Sequence, residues 1–414
     1  MIGQISKKLG VNRTVLALSA ARLGDAIGNS ILFVVIPLYV AKLPAPWFPF
    51  SESARVGILI SLYGLVNALL QPVMGAVSDR LGKRKILIQG GLVLMGIATF
   101  SFVIASRFTD LLLLRAVQGV GVALTVPASM ALMATATHKH TRGGSMGIYS
   151  ASRMLGFAIG PLIGGYLFDN FGFDSSFYAG TGFILLGIIL VQLWIKERPP
   201  ERRPSEKKQR FRIIDKTLLS AGIVGAGVAS LVMAGDFSMI SALETQFNAR
   251  LNQTAFGFGV AFSALMFSRL IFQVPLGRWS DQIGRKPLII AGLLLMAPAT
   301  LMLGIVATSL EFTGMRVIQG IASAAIAAPA FALAADLSTS GGEGRQMSLI
   351  TMSFGLGIAL GPLMAGVLAT YSFVLPFLIA AILTVLVAWI VFQFVPETIQ
   401  KEEAKRQPYL SDGD

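Results

Sequence analysis

Residues 69–88 read LLQPVMGAVSDRLGKRKILI, and residues 271–290 read IFQVPLGRWSDQIGRKPLII. Gln71, Gly75, Ser78, Asp79 and Gly82 return 202 residues later as Gln273, Gly277, Ser280, Asp281 and Gly284. The basic pair Lys83 and Arg84 returns as Arg285 and Lys286. Two further blocks keep almost the same interval. Arg115, Gln118 and Gly119 return after 201 residues as Arg316, Gln319 and Gly320, and Gly156, Gly160, Pro161 and Gly165 as Gly357, Gly361, Pro362 and Gly366. Three blocks in one order at one spacing mark a duplicated unit. The chain therefore reads as two halves, 1–195 and 217–414, joined by the segment 196–216. That segment carries nine basic and four acidic residues and prolines at 199, 200 and 204. It reads as a solvated tether, with a short interfacial helix around 211–214 as the alternative.

Between the repeated blocks lie long runs without charge: 56–78, 86–106, 175–195, 287–310 and the 51 residues of 346–396. About 18 apolar residues cross the hydrocarbon layer as a helix, so the last run holds two crossings and a turn. Only 13% of the 414 residues are charged and 54% are hydrophobic, against roughly 25% charged in a soluble chain. A soluble enzyme and a disordered chain are excluded, and the absence of cysteine excludes a disulfide scaffold. The expected fold is all-α and integral to the membrane, with two pseudo-symmetric six-helix bundles. Its twelve spans fall near 14–38, 56–78, 86–106, 112–135, 145–167, 175–195, 217–243, 254–277, 287–309, 313–335, 347–369 and 374–395.

The net charge of +13 follows topology. With the N-terminus inside, the inner segments carry 25 of the 34 Lys and Arg, and the outer loops only Lys42, Arg55, Arg107 and Arg250. This asymmetry orients the chain with both termini in the cytoplasm, and it leaves no basic, aromatic-interleaved domain for nucleic acid. Lys7, Lys8 and Arg13 precede the first apolar run as in a signal peptide. That run is too long and too polar, holding Arg22, Asp25 and Asn29, so it is expected to remain as a span.

These motifs resemble those of the major facilitator superfamily over almost the whole chain. Gly75, Asp79, Arg80, Gly82, Lys83 and Arg84 match that family's loop between helices 2 and 3. Gly277, Asp281 and Gly284 belong to its second-half copy, which departs from the pattern with Gln282 in place of Arg80. Gly156, Gly160, Pro161, Gly164 and Gly165 look like the helix-5 motif of drug:proton antiporters, and Asp25 to Gly28 with Pro37 resembles helix 1 of the tetracycline-type branch. The resemblance implies two bundles around a midplane site and a latch formed by the Asp79 cluster on the inner side. It further implies exchange of protons for a small amphipathic or cationic drug-like compound, driven by the proton gradient without a cofactor, by a monomer in the plasma (inner) membrane. Gly75 would permit the close helix approach that a latch needs. The four-residue spacing of Gly156, Gly160 and Gly164 places them on one helix face, read as a sliding surface between the halves or as ordinary packing.

Ionisable residues inside spans are costly, roughly 2.5–3.5 kcal/mol each on insertion scales, and are functional candidates by default. Asp25 lies ~16 Å into the first span at 1.5 Å per residue. The resemblance implies that it alternates between proton and substrate, with Arg115 tuning the proton site; a fixed pair with Arg22, one turn away, is the alternative. Asp236 and Glu244 are expected in the outer part of the seventh span, eight residues or ~80° apart, bordering one cavity; for Glu244 a rim pair with Arg250 is the alternative. Asp110 and Glu311 are expected to cap the helices that carry Arg115 and Arg316. Arg153 and Arg269 have Phe354 and Asn67 at their repeat positions. Five intramembrane arginines against three acids keep an organic-anion or sugar-phosphate carrier open, and a receptor without net translocation is a third reading. His138 and His140 read as a solvated loop, residues 44–50 as an interfacial aromatic belt, and no phosphate-binding loop for ATP is present. Asp79→Asn is expected to slow transport by about tenfold or more, the scale of losing a charge-assisted hydrogen bond. Expression and thermal midpoint should stay near wild type; flux assays in vesicles check this.

Overall fold

A computed structural model describes residues 12–137, 142–195, 220–337 and 343–398. The expectations for the linker 196–216, for His138 and His140 and for both termini lie outside the described residues, as does the side chain of Asp79. The described residues form α1 (Arg13–Lys42), α2 (Glu52–Leu81), α3 (Arg84–Ser101), α4 (Phe108–Ala136), α5 (Arg142–Phe171) and α6 (Phe173–Trp194). The second half contributes α7 (Ala221–Ser238), α8 (Glu244–Leu251), α9 (Ala255–Ile283), α10 (Arg285–Leu303), α11 (Ser309–Asp336), α12 (Glu343–Leu368) and α13 (Leu375–Phe394). Among the described residues, twelve helical segments are long and apolar enough to cross a membrane; α8 is too short. The chain is a multi-pass membrane protein.

Helix starts follow local chemistry. Asn12, Ser51, Ser220, Thr254 and Thr308 each accept a hydrogen bond from a first-turn amide of α1, α2, α7, α9 and α11, satisfying donors that a helix start leaves free. Asp110 Oδ2 accepts the amides of Ser106 and Arg107 at 3.0 and 2.9 Å, and Glu311 accepts that of Ala307 at 2.9 Å, as expected of capping acids. At the end of α2, Gly82 takes φ 63°, and between α9 and α10 Gly284 takes φ 112°. Both lie in the positive-φ region that favours glycine.

The repeat in sequence becomes a repeat in packing. α1 lies against α5 and α6, as α7 lies against α12 and α13; α3 packs on α4 and α6, as α10 packs on α11 and α13. The halves meet through two crossed pairs, α2 with α12 and α5 with α9. Gly156, Gly160 and Gly164 do not form a surface between the halves. A Cβ on Gly156 would come within 2.5 Å of Ala26 Cβ, one on Gly160 within 2.8 Å of the Ile27 carbonyl, and one on Gly164 within 3.1 Å of Ile31, all on α1 of the same half. Gly165, about a quarter-turn round from Gly164, is the member that meets the other half, with Ala255 O at 2.6 Å from its Cβ position. The Pro161 carbonyl also faces that half, against Gly259.

The interface tapers. Along α2 and α12, a Cβ would stand 2.2 Å from Ser53 O at Gly366, 2.4 Å from Pro362 O at Gly57, 3.0 Å from Ala359 at Gly64 and 3.7 Å from Ala68 at Gly355. Contact is tightest at the end carrying the 43–51 loop, the outer end on the charge pattern, and loosens toward the Gly82 and Gly284 turns. Bonds across the halves lie in the tighter part of the seam, where Ser61 of α2 donates to the Ala359 carbonyl of α12. Asp169 of α5 accepts the first amides of α9, Ala255 and Phe256, at 3.3 and 2.8 Å, and Gln246 of α8 donates to Ser53 of α2 at 2.7 Å. Gly160→Leu is expected to cost about 1–3 kcal/mol by overpacking and to lower the thermal midpoint in detergent. Gly147→Leu, where nothing lies within 4 Å of the Cβ position, should leave the midpoint near wild type.

Candidate functional site

Helical spacing puts Arg22, Asp25 and Asn29 of α1 on one buried face. A guanidinium nitrogen of Arg22 pairs with Asp25 Oδ2, and its charge also lies 5.8 Å from the Tyr149 ring centre. Asp25 Oδ1 and Arg22 Nε are buried without a hydrogen-bond partner. The structure thus forms the Arg22 pair and does not bring Arg115 to Asp25. Arg115 donates to Asn29 Oδ1 at 3.5 Å and to Gln118 Oε1 at 3.2 Å, and stands 5.5 Å from the ring centre of Tyr63. Asn29 in turn donates to the Tyr63 hydroxyl at 2.5 Å.

The second half repeats half of this network. Arg115, Gln118 and Thr99 run in sequence, the last link being Gln118 Nε2 to Thr99 Oγ1 at 2.9 Å. Arg316 donates to Gln319 at 2.6 Å, and Gln319 to Thr300 at 2.8 Å. Thr99 and Thr300 stand 201 residues apart, the interval already set by the arginines, so the repeat held the signal that would have found them. Tyr63 and Tyr149 carry no such signal; both lie on helices whose pairing the linear pattern leaves undetermined.

Asp236 completes the second network. Thr300 and Thr384 hydroxyls donate to its Oδ2 at 3.3 and 2.8 Å, so its carboxyl points toward α10 and α13 inside its own bundle. The continuous seventh helix expected to carry both Asp236 and Glu244 is interrupted between them. α7 ends at Ser238, a 3-10 turn spans Met239–Ala242 and Glu244 opens the separate helix α8, so the angular relation of a continuous helix does not apply. Glu244 is fully buried and has no ion pair with Arg250, whose guanidinium stacks 4.2 Å from the Phe373 ring centre. Neither Glu244 oxygen has a hydrogen-bond partner of good geometry. Burial pushes this carboxyl well above its ordinary 4.5, aided by the negative charge of Asp169; the nearby Asn248 amide only softens the effect.

The inner loops are bonded within their own halves. Arg84 donates to Ala131 O and Thr135 Oγ1, both at 3.0 Å, while Arg80 is exposed. Arg285 pairs with Asp281 and Asp336, and Glu397 accepts the amides of Arg285 and Lys286 at 3.0 Å each. Gly75 and Gly277 do not mark close approaches: their Cβ positions stand 3.7 Å from Pro127 and 3.5 Å from Ala328, an ordinary contact with the next helix of the same half.

The sequence model of the Major Facilitator Superfamily matches residues 18–249 and 225–410. The chain is 26% identical over 375 residues to a protein named multidrug resistance protein MdtG from Klebsiella pneumoniae (strain 342), covering 89% of this chain and 90% of that one. The protein of the same name from Enterobacter lignolyticus (strain SCF1) is 27% identical, at 85% coverage of each. Among solved structures, a bacterial homologue of the human lysosomal transporter Spinster, in an inward-facing and occupied conformation, superposes with TM-score 0.74 at 18% identity over 91% of this chain and 95% of that chain.

A carboxyl that is raised in the folded state binds its proton more tightly folded than unfolded, so stability falls as pH rises through the gap between the two values. The wild-type thermal midpoint should therefore decline as pH climbs above 4.5. In Glu244→Gln that decline should flatten, as scanning calorimetry in detergent would record.

Proposed function

Because the chain belongs to the major facilitator superfamily, we propose that it is a secondary active transporter that exports small amphipathic, drug-like compounds in exchange for protons by alternating access. The names of the MdtG proteins support the class of cargo. It works as a monomer in the plasma (inner) membrane with both termini in the cytoplasm, and the proton gradient is its energy source. The taper of the α2–α12 contacts corresponds to an inward-facing state. To face outward, the Asp169 and Gln246 bonds across the tight end must break, and the inner loops around Asp79 and Asp281 must come together.

One observation carries the coupling: Asp25 is a buried carboxylate in the middle of a span, with one oxygen on Arg22 and the other unpartnered. The free oxygen is where a proton can be taken up. Protonation weakens the attraction to Arg22, which already rests near Tyr149 and can keep its charge against that ring. Cargo and proton then compete for one electrostatic position, which is what exchange requires. Arg115 acts at a distance by holding Asn29, which shares the Asp25 face of α1 and donates to Tyr63 of α2. Purified Asp25→Asn should release no proton on cargo addition, and gradient-driven flux in proteoliposomes should drop at least about a hundredfold, as for a group essential to a proton transfer. Proton release undiminished in that variant would refute the role of Asp25.

A further inference from the structure

Tyr149, Arg153 and Phe157 follow one another at four-residue intervals on α5 and share one face of it. At this level α5 lies close against α1: a Cβ on Gly156 would come within 2.5 Å of Ala26 Cβ and 2.9 Å of the Leu23 carbonyl. The face runs from the Asp25 site to the seam between the halves. At one end the Tyr149 ring centre stands 5.8 Å from the Arg22 guanidinium. At the other, Phe157 stands 5.9 Å from Phe33 of α1, which is equally far from Phe262 of α9 in the other half. Arg153 lies between these ends. Its guanidinium is 5.4 Å from the centre of Phe157 and 5.9 Å from that of Phe354 on α12, a ring that Arg269 also approaches at 5.6 Å. Phe354 is the repeat mate of Arg153, 201 residues on. A residue that meets its own mate lies at the axis relating the two halves, where rocking between them is felt.

Arg153 answers to two places with one charge. Asp25 attracts it and Arg22 repels it, yet among the described residues no ion pair joins it to Asp25. Asp25 Oδ2 is held by Arg22, and its Oδ1 is buried and unpartnered. The guanidinium rests instead on two rings, which compensate a charge less fully than a carboxylate does. Arg153 is half-buried and a guanidinium keeps its proton, so its position can change and its charge cannot. The other groups nearby are accounted for. Tyr63 of α2 and Tyr149 feel the Asp25 charge, while Arg115 of α4 is turned to Asn29 and Gln118. The acid of α6, Asp174, lies in its first turn, and Glu244 and Arg250 lie on α8 at the outer end. Across the seam Arg269 of α9 feels the charge of Arg153, and the span of α12, Leu349–Leu368, is uncharged.

We propose that Arg153 is the positioning residue that carries the charge state of Asp25 to the seam. With Asp25 protonated, the guanidinium rests on Phe157 and Phe354 and bridges the halves as seen here. When Asp25 loses its proton to the inner side, its free oxygen draws the guanidinium off Phe354 and onto α1. The link rests on the proton role of Asp25 and adds the step by which that proton moves the protein. It also makes proton and cargo exclude one another without touching the same atom. The rings of Phe157 and Phe354 are open to an apolar body only while Arg153 is held at α1.

The chain has no cysteine, so spin labels on Leu81→Cys and Ile283→Cys, at the inner ends of α2 and α9, report the distance between the halves without further substitution. On the full chain in nanodiscs, double electron–electron resonance should find the inner ends apart in acid and closer in alkali, as the buffer is taken from about pH 5 to about pH 9. Asp25→Asn should remove this shift. Arg153→Gln and Phe354→Leu should remove it too, although both keep Asp25, whereas Arg153→Lys, which keeps the charge, should retain it. No shift in the labelled parent, a shift that survives Asp25→Asn, an undiminished shift in folded Arg153→Gln or Phe354→Leu, or an equal loss in Arg153→Lys overturns the link. If Arg153→Gln fails to fold, Phe354→Leu, which leaves every charge in place, decides. Proteoliposomes with tetraphenylphosphonium as probe cargo separate the link from antiport. Proton-driven flux undiminished in Arg153→Gln sinks the link and keeps antiport, while a pH shift that follows the expected pattern without any flux keeps the link and counts against antiport of such a cation.

Discussion

A polar or charged group at the depth of the hydrocarbon layer has no water to fall back on, so every such group must be answered from within the protein. This constraint organises the molecule. It explains why Gln118 and Gln319 each bridge an arginine to a threonine, and why the Asp236 carboxyl turns into its own bundle toward two hydroxyls. Among the places where the answer is incomplete are Asp25 Oδ1, both Glu244 oxygens and nitrogens of Arg22, Arg115, Arg269 and Arg316. Those places are the ones to which a mobile proton or an arriving substrate can contribute the missing partner.

The glycines serve a separate purpose. Those of the α5 block let α1 approach within its own half, and their mates Gly357 and Gly361 admit Leu231 and Gly235 of α7 in the same way. Each bundle is thus stiffened around its first helix, which carries Asp25 in one half and Asp236 in the other. Movement is left to the two crossed contacts between halves, where Gly57, Gly165, Gly259 and Gly366 sit at the tight end. Rigid bundles with a graded seam between them are what rocking requires.

Much of this was legible in the sequence because the signals are periodic or duplicated. Uncharged runs gave the twelve spans, and the 201–202 residue interval paired Arg115 with Arg316 and Gly160 with Gly361. The misreadings have physical causes. A continuous seventh span was assumed through Glu244, but apolar composition does not encode the break at Met239–Ala242. The glycine face of α5 was visible, yet a helix pattern fixes which residues share a face and not which neighbour fills it, so α1 was not foreseen. The partners Tyr63, Tyr149 and Phe354 come from helices distant in sequence, and an arginine over a ring leaves no linear motif. The surplus of arginines was countable; that Arg153 and Arg269 converge on one ring was not.

The central claim is that Asp25 changes its protonation as the protein works. Infrared difference spectroscopy on the protein in lipid bilayers reads this directly, comparing wild type with Asp25→Asn as the state is switched by cargo or by a proton gradient. The account predicts a protonated-carboxyl stretching band that belongs to Asp25, gained in one state and lost in the other. An Asp25 that stays an ionised partner of Arg22 in every state would contradict it.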